Sequence, residues 1–299
     1  MTPPALLLVG HGTRDAAGAA AFRDFVAQLG DANPELAVGG GFIELSPPPL
    51  ADSVAAMAGA GVRHFAAVPL VLVSAGHAKG DIPAALAREE RRHPGTSFAY
   101  GRPLGPHPGL LSVLERRVDE ALAGADRAGA TVLLVGRGST DPDANAEVFK
   151  AARLLWEGRG YAGVETAFVS LAEPSVAAGL ERCRRLGART VVVLPYFLFS
   201  GVLPDRVREQ AAGWAAGQDG VEVRCAEVIG AAPELAQLVM ERYREAVGGD
   251  LRMNCDSCVY RVRMPGFEDR VGLPQQPHHH PDDPSHAHGG HGHPHAHTH

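Results

Sequence analysis

The chain has 299 residues, 45% of them hydrophobic and 6% aromatic, with a formal net charge of −6. That length accommodates two domains of ordinary size, and the acidic balance offers no broad basic surface for a phosphate backbone, which argues against nucleic acid as a partner. No apolar run approaches the roughly 20 residues of a membrane helix, no basic leader precedes the first apolar run, and four cysteines make no disulfide scaffold; the expectation is a cytoplasmic protein with no membrane segment.

Residues 5–9 are a short aliphatic run and predict a first strand, left through the turn Gly10-His11-Gly12-Thr13-Arg14-Asp15. Phe22, Val26 and Leu29 then recur at helical spacing. A second strand is predicted over 38–45, with Glu44 near its end, followed by a helix marked by Leu50, Val54 and Met57. A third strand over 65–73 runs into Ser74-Ala75-Gly76-His77-Ala78-Lys79-Gly80-Asp81. Asp81 is read as the cap of the next helix, with Pro83 in its first turn. A fourth strand is predicted over 97–101.

The same order then returns. Leu7-Leu8-Val9-Gly10-His11-Gly12 reappears as Leu133-Leu134-Val135-Gly136-Arg137-Gly138, an offset of 137 − 11 = 126. Phe42-Ile43-Glu44-Leu45 returns as Phe168-Val169-Ser170-Leu171, and Val68-Pro69-Leu70 as Leu194-Pro195-Tyr196, both at the same offset. The chain is a duplicated α/β domain. Near-continuous aliphatic strands alternating with helices predict two doubly wound domains, each a four-stranded parallel sheet. The expected boundaries are 1–124, 125–248 and a third segment, 249–299. That last segment carries Met253-Asn254-Cys255-Asp256-Ser257-Cys258, and ten of the 15 histidines lie between His278 and His299. Its histidine-rich end is expected to be disordered without metal.

In doubly wound sheets ligands bind beyond the carboxyl ends of the strands. His11, Glu44 and His77 all follow strands at that edge, giving two imidazoles and a carboxylate suited to cobalt, nickel, zinc or ferrous iron. The duplication supplies an internal comparison: their counterparts are Arg137, Ser170 and Leu203. All three donors are missing from the second copy while the strands still match, so one copy is read as the metal site and the other as the facing wall. Arg14, Arg137 and Ser139 are candidate contacts for an anionic substrate, since guanidinium pairs bidentately with carboxylate. A lone loop histidine is more often solvated than a ligand; the three donors and the asymmetry together carry the metal reading. The turn fails the dinucleotide fingerprint, because Asp15 and Asp141 stand where G-x-G-x-x-G needs glycine. Lys79 reads as a solvated loop charge, His64, His93 and His107 as surface residues, and Cys183 and Cys225 as core sulfur. Cys255 and Cys258 supply two thiolates where a closed zinc or iron–sulfur site wants four ligands. A site shared across a homodimer, one completed by histidine, and a free surface dithiol all stay open.

The Val-Gly-His-Gly-Thr-Arg turn, the Gly-His-Ala-Lys-Gly-Asp-Ile-Pro segment and the duplicated half resemble the class II, chelatase-like tetrapyrrole chelatases over essentially the whole chain. The M-x-C-x-x-C motif before a histidine-rich end resembles the long-form sirohydrochlorin cobaltochelatases of that class. The resemblance implies insertion of a divalent metal, Co2+ first and Fe2+ or Ni2+ as alternatives, into sirohydrochlorin on the route to cobalamin or sirohaem. It implies metal insertion by His11 and His77 with Glu44 beside them. It also implies a [4Fe-4S] cluster at Cys255 and Cys258; the histidine-rich tail is expected, from its own composition, to collect metal ions. Two rival readings are a histidine phosphatase using His11, disfavoured because Gly10 stands where that chemistry places arginine, and a metal store acting through its tail.

Overall fold

The computed structural model of the protein describes residues 3–249 and 268–273. Two four-stranded parallel sheets lie side by side in the chain, built in the same order. The first comprises β1 (Ala5–Gly10), β2 (Val38–Phe42), β3 (His64–Pro69) and β4 (Ser97–Tyr100), in spatial order β2-β1-β3-β4. The second comprises β5 (Ala130–Gly136), β6 (Gly163–Phe168), β7 (Thr190–Pro195) and β8 (Glu222–Cys225), in order β6-β5-β7-β8. The helices between them are α1 (Ala16–Ala32), α2 (Leu50–Gly59), α3 (Ile82–Arg92), α4 (Pro108–Leu122), α5 (Pro142–Trp156), α6 (Val176–Arg185), α7 (Val202–Ala215) and α8 (Pro233–Gly248). No helix among the described residues is long and apolar enough to cross a membrane.

β1 is central, and all six of its residues are buried. Alternation along it divides the core. Leu6 and Leu8 face inward, where they join Ala66 and Val68 with Val132, Leu134, Val192 and Leu194 of the second sheet in one continuous apolar cluster. Leu7 and Val9 face outward onto α2 and α3, and the second sheet repeats this with Leu133 and Val135 under α6 and α7. The shared inner cluster is closed by an exchange of helices. α4 packs on β7 and β8 of the second sheet, and α8 on β3 and β4 of the first. Tyr243 of α8 donates a hydrogen bond to the Pro4 carbonyl at 2.7 Å. Each half therefore depends on the other for the cover of one sheet face.

β2 is an unpromising strand by propensity, since Gly39, Gly40 and Gly41 follow Val38. Packing explains it. A Cβ on Gly39 would lie 2.4 Å from Met57 Sδ, on Gly40 2.7 Å from Val26 Cγ2, and on Gly41 2.7 Å from Leu50 Cα. α1 and α2 press closely on the two faces; at Gly41 the obstacle is helix backbone, whereas at Gly39 it is the flexible Met57 side chain.

Two predicted strands end early. β2 stops at Phe42 and β3 at Pro69, well short of 45 and 73. The backbone beyond β2 still follows the neighbouring loop: Ile43 N–H donates to Gly10 O and Glu44 N–H to His11 O, at 3.0 and 3.1 Å. The helix expected to open at Asp81 is preceded by a π-helical turn, His77–Asp81. Asp81 makes no side-chain cap there; its carboxylate is turned back to His77, while Pro83 does sit in the first turn of α3.

Candidate metal centre

β1 lies at the point where the strand order reverses, so the loops after β1, β2 and β3 converge at one edge. The first loop is held by a close approach. Gly12 has φ +110°, and a Cβ there would lie 1.8 Å from Glu44 O. Glycine is thus required both for the backbone angle and for the contact that brings the two loops together.

The three predicted donors meet at that edge. His11 Nε2 lies 2.7 Å from Glu44 Oε1 and 2.8 Å from His77 Nε2, with the two rings edge to face at 4.0 Å. The donor atoms of His11, Glu44 and His77 all lie within 4.8 Å of one another. The outer nitrogens are anchored: His11 Nδ1 is 3.2 Å from Gly12 O, and His77 Nδ1 is 2.6 Å from Asp81 Oδ2. A carboxylate behind a histidine fixes the ring and leaves Nε2 for the ion. An Nε2–Nε2 contact of 2.8 Å needs a proton between the two lone pairs, and a metal ion can take that proton's place. Donors about 2.0–2.1 Å from a tetrahedral ion stand about 3.3 Å apart, so binding requires these nitrogens to part by about half an ångström.

The loop carrying His77 is clamped by the second half of the chain. Lys79 is not a solvated loop charge: its side chain is 6% exposed, with Nζ 2.7 Å from Asp141 Oδ2 and 3.0 Å from Asp143 Oδ2. Burial pulls the Lys79 pKa down, but hydrogen bonding and charge from the two aspartates carry it above the usual lysine value. Ser74 N–H donates to Glu147 Oε2 at 2.8 Å, and burial raises the Glu147 pKa above the ordinary carboxylate value. Neither interaction is legible from spacing, because Lys79 and its partners lie more than 60 residues apart.

His11 and His77 line a cleft of about 710 Å³ between the two sets of loops, with Glu44 behind His11. Arg14, Arg137 and Ser139 all line it, as does Arg270 from the short turn Glu268–Arg270. Arg14 and Arg137 are exposed at its rim. Ser139 Oγ accepts from Asp141 N–H and its own N–H donates to Asn145 Oδ1, so this residue staples its turn as well as lining the cleft. Arg270 was invisible as a candidate, since nothing in its local pattern ties it to either repeat.

The remaining candidates lie elsewhere. His64 is exposed and bonds Ser97 Oγ, His93 lies 3.8 Å from Glu89, and His107 caps α4 by accepting from Gly109 N–H. Cys183 is buried as expected, whereas Cys225 is exposed at the end of the edge strand β8. Cys255, Cys258 and the histidine-rich tail fall outside the described residues.

Known proteins carry the same architecture. The chain is 36% identical over 260 residues to the sirohydrochlorin cobaltochelatase of Priestia megaterium, covering 86% of this chain and 84% of that protein. It is 29% identical over 245 residues to the sirohydrochlorin ferrochelatase of Bacillus subtilis, covering 81% and 91%. The solved structure of SirB from Bacillus subtilis with Fe3+ superposes with a TM-score of 0.72 at 29% identity, over 83% of this chain and 97% of that one. The CbiX family model matches twice, at residues 5–121 and 131–246, and with both halves matched the chain belongs to the CbiX family.

Proposed function

We propose that this protein is a sirohydrochlorin chelatase, inserting a divalent metal, cobalt by first choice, into the tetrapyrrole. The observation that carries the reading is the convergence of His11, Glu44 and His77 donors at the edge of a cleft sized for a small-molecule ligand. Two imidazoles and a carboxylate suit borderline divalent ions, and the resemblance to a cobaltochelatase favours cobalt. The ferrochelatase relative makes ferrous iron the second reading.

Insertion into a free-base tetrapyrrole displaces two pyrrole protons, so the site must release a metal and accept protons. His11 and His77 would hold the ion through Nε2 while Glu44 offsets its charge; as the ion leaves, Glu44 and a freed imidazole would take up the two displaced protons. Asp81 keeps the His77 ring oriented throughout. Sirohydrochlorin is a polycarboxylate, and the guanidiniums of Arg14, Arg137 and Arg270 stand around the cleft to receive its acidic arms, with Ser139 beside them. Among the described residues the one clustered set of donors lies in the first half, which makes the second half a substrate wall.

Cys255 and Cys258 are assigned to a metal centre separate from insertion, and the histidine-rich tail to metal collection. Insertion needs no electron transfer, so no step passes through the cysteines. The direct test is anaerobic incubation with sirohydrochlorin and Co2+, Fe2+ or Ni2+ in turn, following the absorbance change of the ring. Fastest turnover with cobalt supports the reading, and no spectral change with any of the three ions removes it.

A further inference from the structure

The loops after β2 and β6 share a feature that metal binding does not explain. Ser46 N–H donates to Glu44 O at 2.7 Å, and Ala172 N–H to Ser170 O at 2.8 Å. These bonds close three-residue turns centred on Leu45 and Leu171, whose φ angles are 62° and 60°. A γ-turn with positive φ at its centre is the rare, strained form. Among the described residues three non-glycines have positive φ: Ala123, which ends α4, and these two leucines. Leucine in that region is unfavourable, and glycine would close the same turn without strain.

Both leucines are also exposed, Leu45 by 44% and Leu171 by 60%, and both line the cleft. Large apolar side chains held out into solvent by strained backbone mark a functional demand. The copies decide what the demand is. At the neighbouring positions the metal donor has been lost, Glu44 facing Ser170 and His11 facing Arg137, yet the strained leucine stands in both. Supporting a metal ligand therefore cannot be its purpose in the second half.

We propose that Leu45 and Leu171, one from each half, are the apolar contacts that grip the sirohydrochlorin macrocycle in the cleft. A tetrapyrrole has a broad apolar ring and an acidic rim, and this cleft offers leucines within a surround of arginines. Val202, itself 50% exposed on the cleft, extends the apolar surface of the second half. This assignment rests on the tetrapyrrole reading above.

The test is direct binding of metal-free sirohydrochlorin to wild-type protein and to Leu171→Gly, Leu171→Asn and Leu45→Gly, with Co2+ binding and Tm measured alongside. Each variant accepts positive φ, so Tm is expected to hold or rise. Recovering about half the transfer of a leucine side chain corresponds to about five- to tenfold in Kd. That loss is expected for sirohydrochlorin, and Leu171 variants are expected to leave Co2+ affinity unchanged. Sirohydrochlorin affinity within twofold of wild type in both Leu171 variants overturns the proposal, as does a large fall in Tm with no change in affinity. If wild-type protein binds and metallates sirohydrochlorin while the Leu171 variants do so equally well, the leucine assignment alone falls. If wild-type protein does not bind it, the tetrapyrrole reading falls as well.

Discussion

Replacing Lys79 by alanine removes a cation from a buried cluster that joins the halves beside the candidate metal donors. Asp141 and Asp143 would remain, with side chains 7% and 2% exposed, after losing the ammonium that both contact. Breaking a buried pair by removing one partner costs about 3–5 kcal/mol. At about 2–4 °C of Tm per kcal/mol for a folded unit of this size, the expected fall is about 6–20 °C by calorimetry. The raised Lys79 pKa fixes the pH behaviour. A lysine raised on folding contributes its stability fully below its unfolded value and loses it as pH rises through the folded one. The gap between wild type and variant is therefore expected to stay level from pH 7 to 9 and to close only in strong alkali. Turnover is expected to fall about 10–100-fold, because the clamp positions the loop that carries His77 and misplacement by an ångström is that costly. Combining Lys79→Met with Asp141→Asn and Asp143→Asn removes the buried carboxylate charges along with the ammonium and is expected to restore most of the Tm. A Lys79→Ala protein melting within about 2 °C of wild type, with normal turnover, refutes the argument.

His11→Ala is expected to lower kcat by at least about 100-fold, whereas Arg137→Ala, at the equivalent turn, is expected to raise KM and spare kcat; steady-state kinetics with sirohydrochlorin separates the two. Asp81→Asn leaves a hydrogen-bond partner for His77 but no charge, and Co2+ affinity by chelator competition is expected to drop about 10–100-fold. Glu147 has its pKa raised mainly by burial, so the wild type loses stability as pH climbs from about 4.5 through the folded value. Glu147→Gln can still accept from Ser74 N–H; its Tm is expected to equal or exceed wild type near pH 7, with the difference vanishing below pH 4.5.

The repeat at offset 126 made both sheets legible, and placing strand ends at one edge made the convergence of His11, Glu44 and His77 legible, because both follow from local patterns and one topological rule. What escaped was set by tertiary contact. Asp81 stands where a helix cap belongs, and only the π-helical turn shows that it serves His77 instead. Lys79 has the composition of an exposed loop, and its burial depends on residues from the other half. The exchange of α4 and α8 between sheets is equally hidden, since an amphipathic helix states that it covers a sheet but not which one. Gly39 to Gly41 weaken the strand signal of β2 for a packing reason visible only when α1 and α2 are in place.

The asymmetry of the duplicated halves reaches past the donors into the residues that support them. His77 and Asp81 correspond to Leu203 and Val207, so ligand and anchoring carboxylate were exchanged for apolar side chains as a pair. Val207 is fully buried in the outer core of the second half, where a carboxylate would be costly without a partner. Lys79 corresponds to Asp205, which is exposed and pairs with Arg208 on its own helix. The acids that hold the His77 loop, through Lys79 and Ser74, show the reverse pattern. Asp143 and Glu147 correspond to Ala17 and Ala21, while Asp141 corresponds to Asp15, and both of those aspartates cap the helix that follows them. An inherited capping residue has thus acquired a second partner in the other half, beside two acids that the first half lacks. The lysine stands only in the copy with the candidate donors, and Asp143 and Glu147 have acidic side chains only in the other, so neither half alone can hold His77 as this structure does. The second half is therefore part of the candidate metal centre through its buried charges, as well as the proposed wall for the substrate.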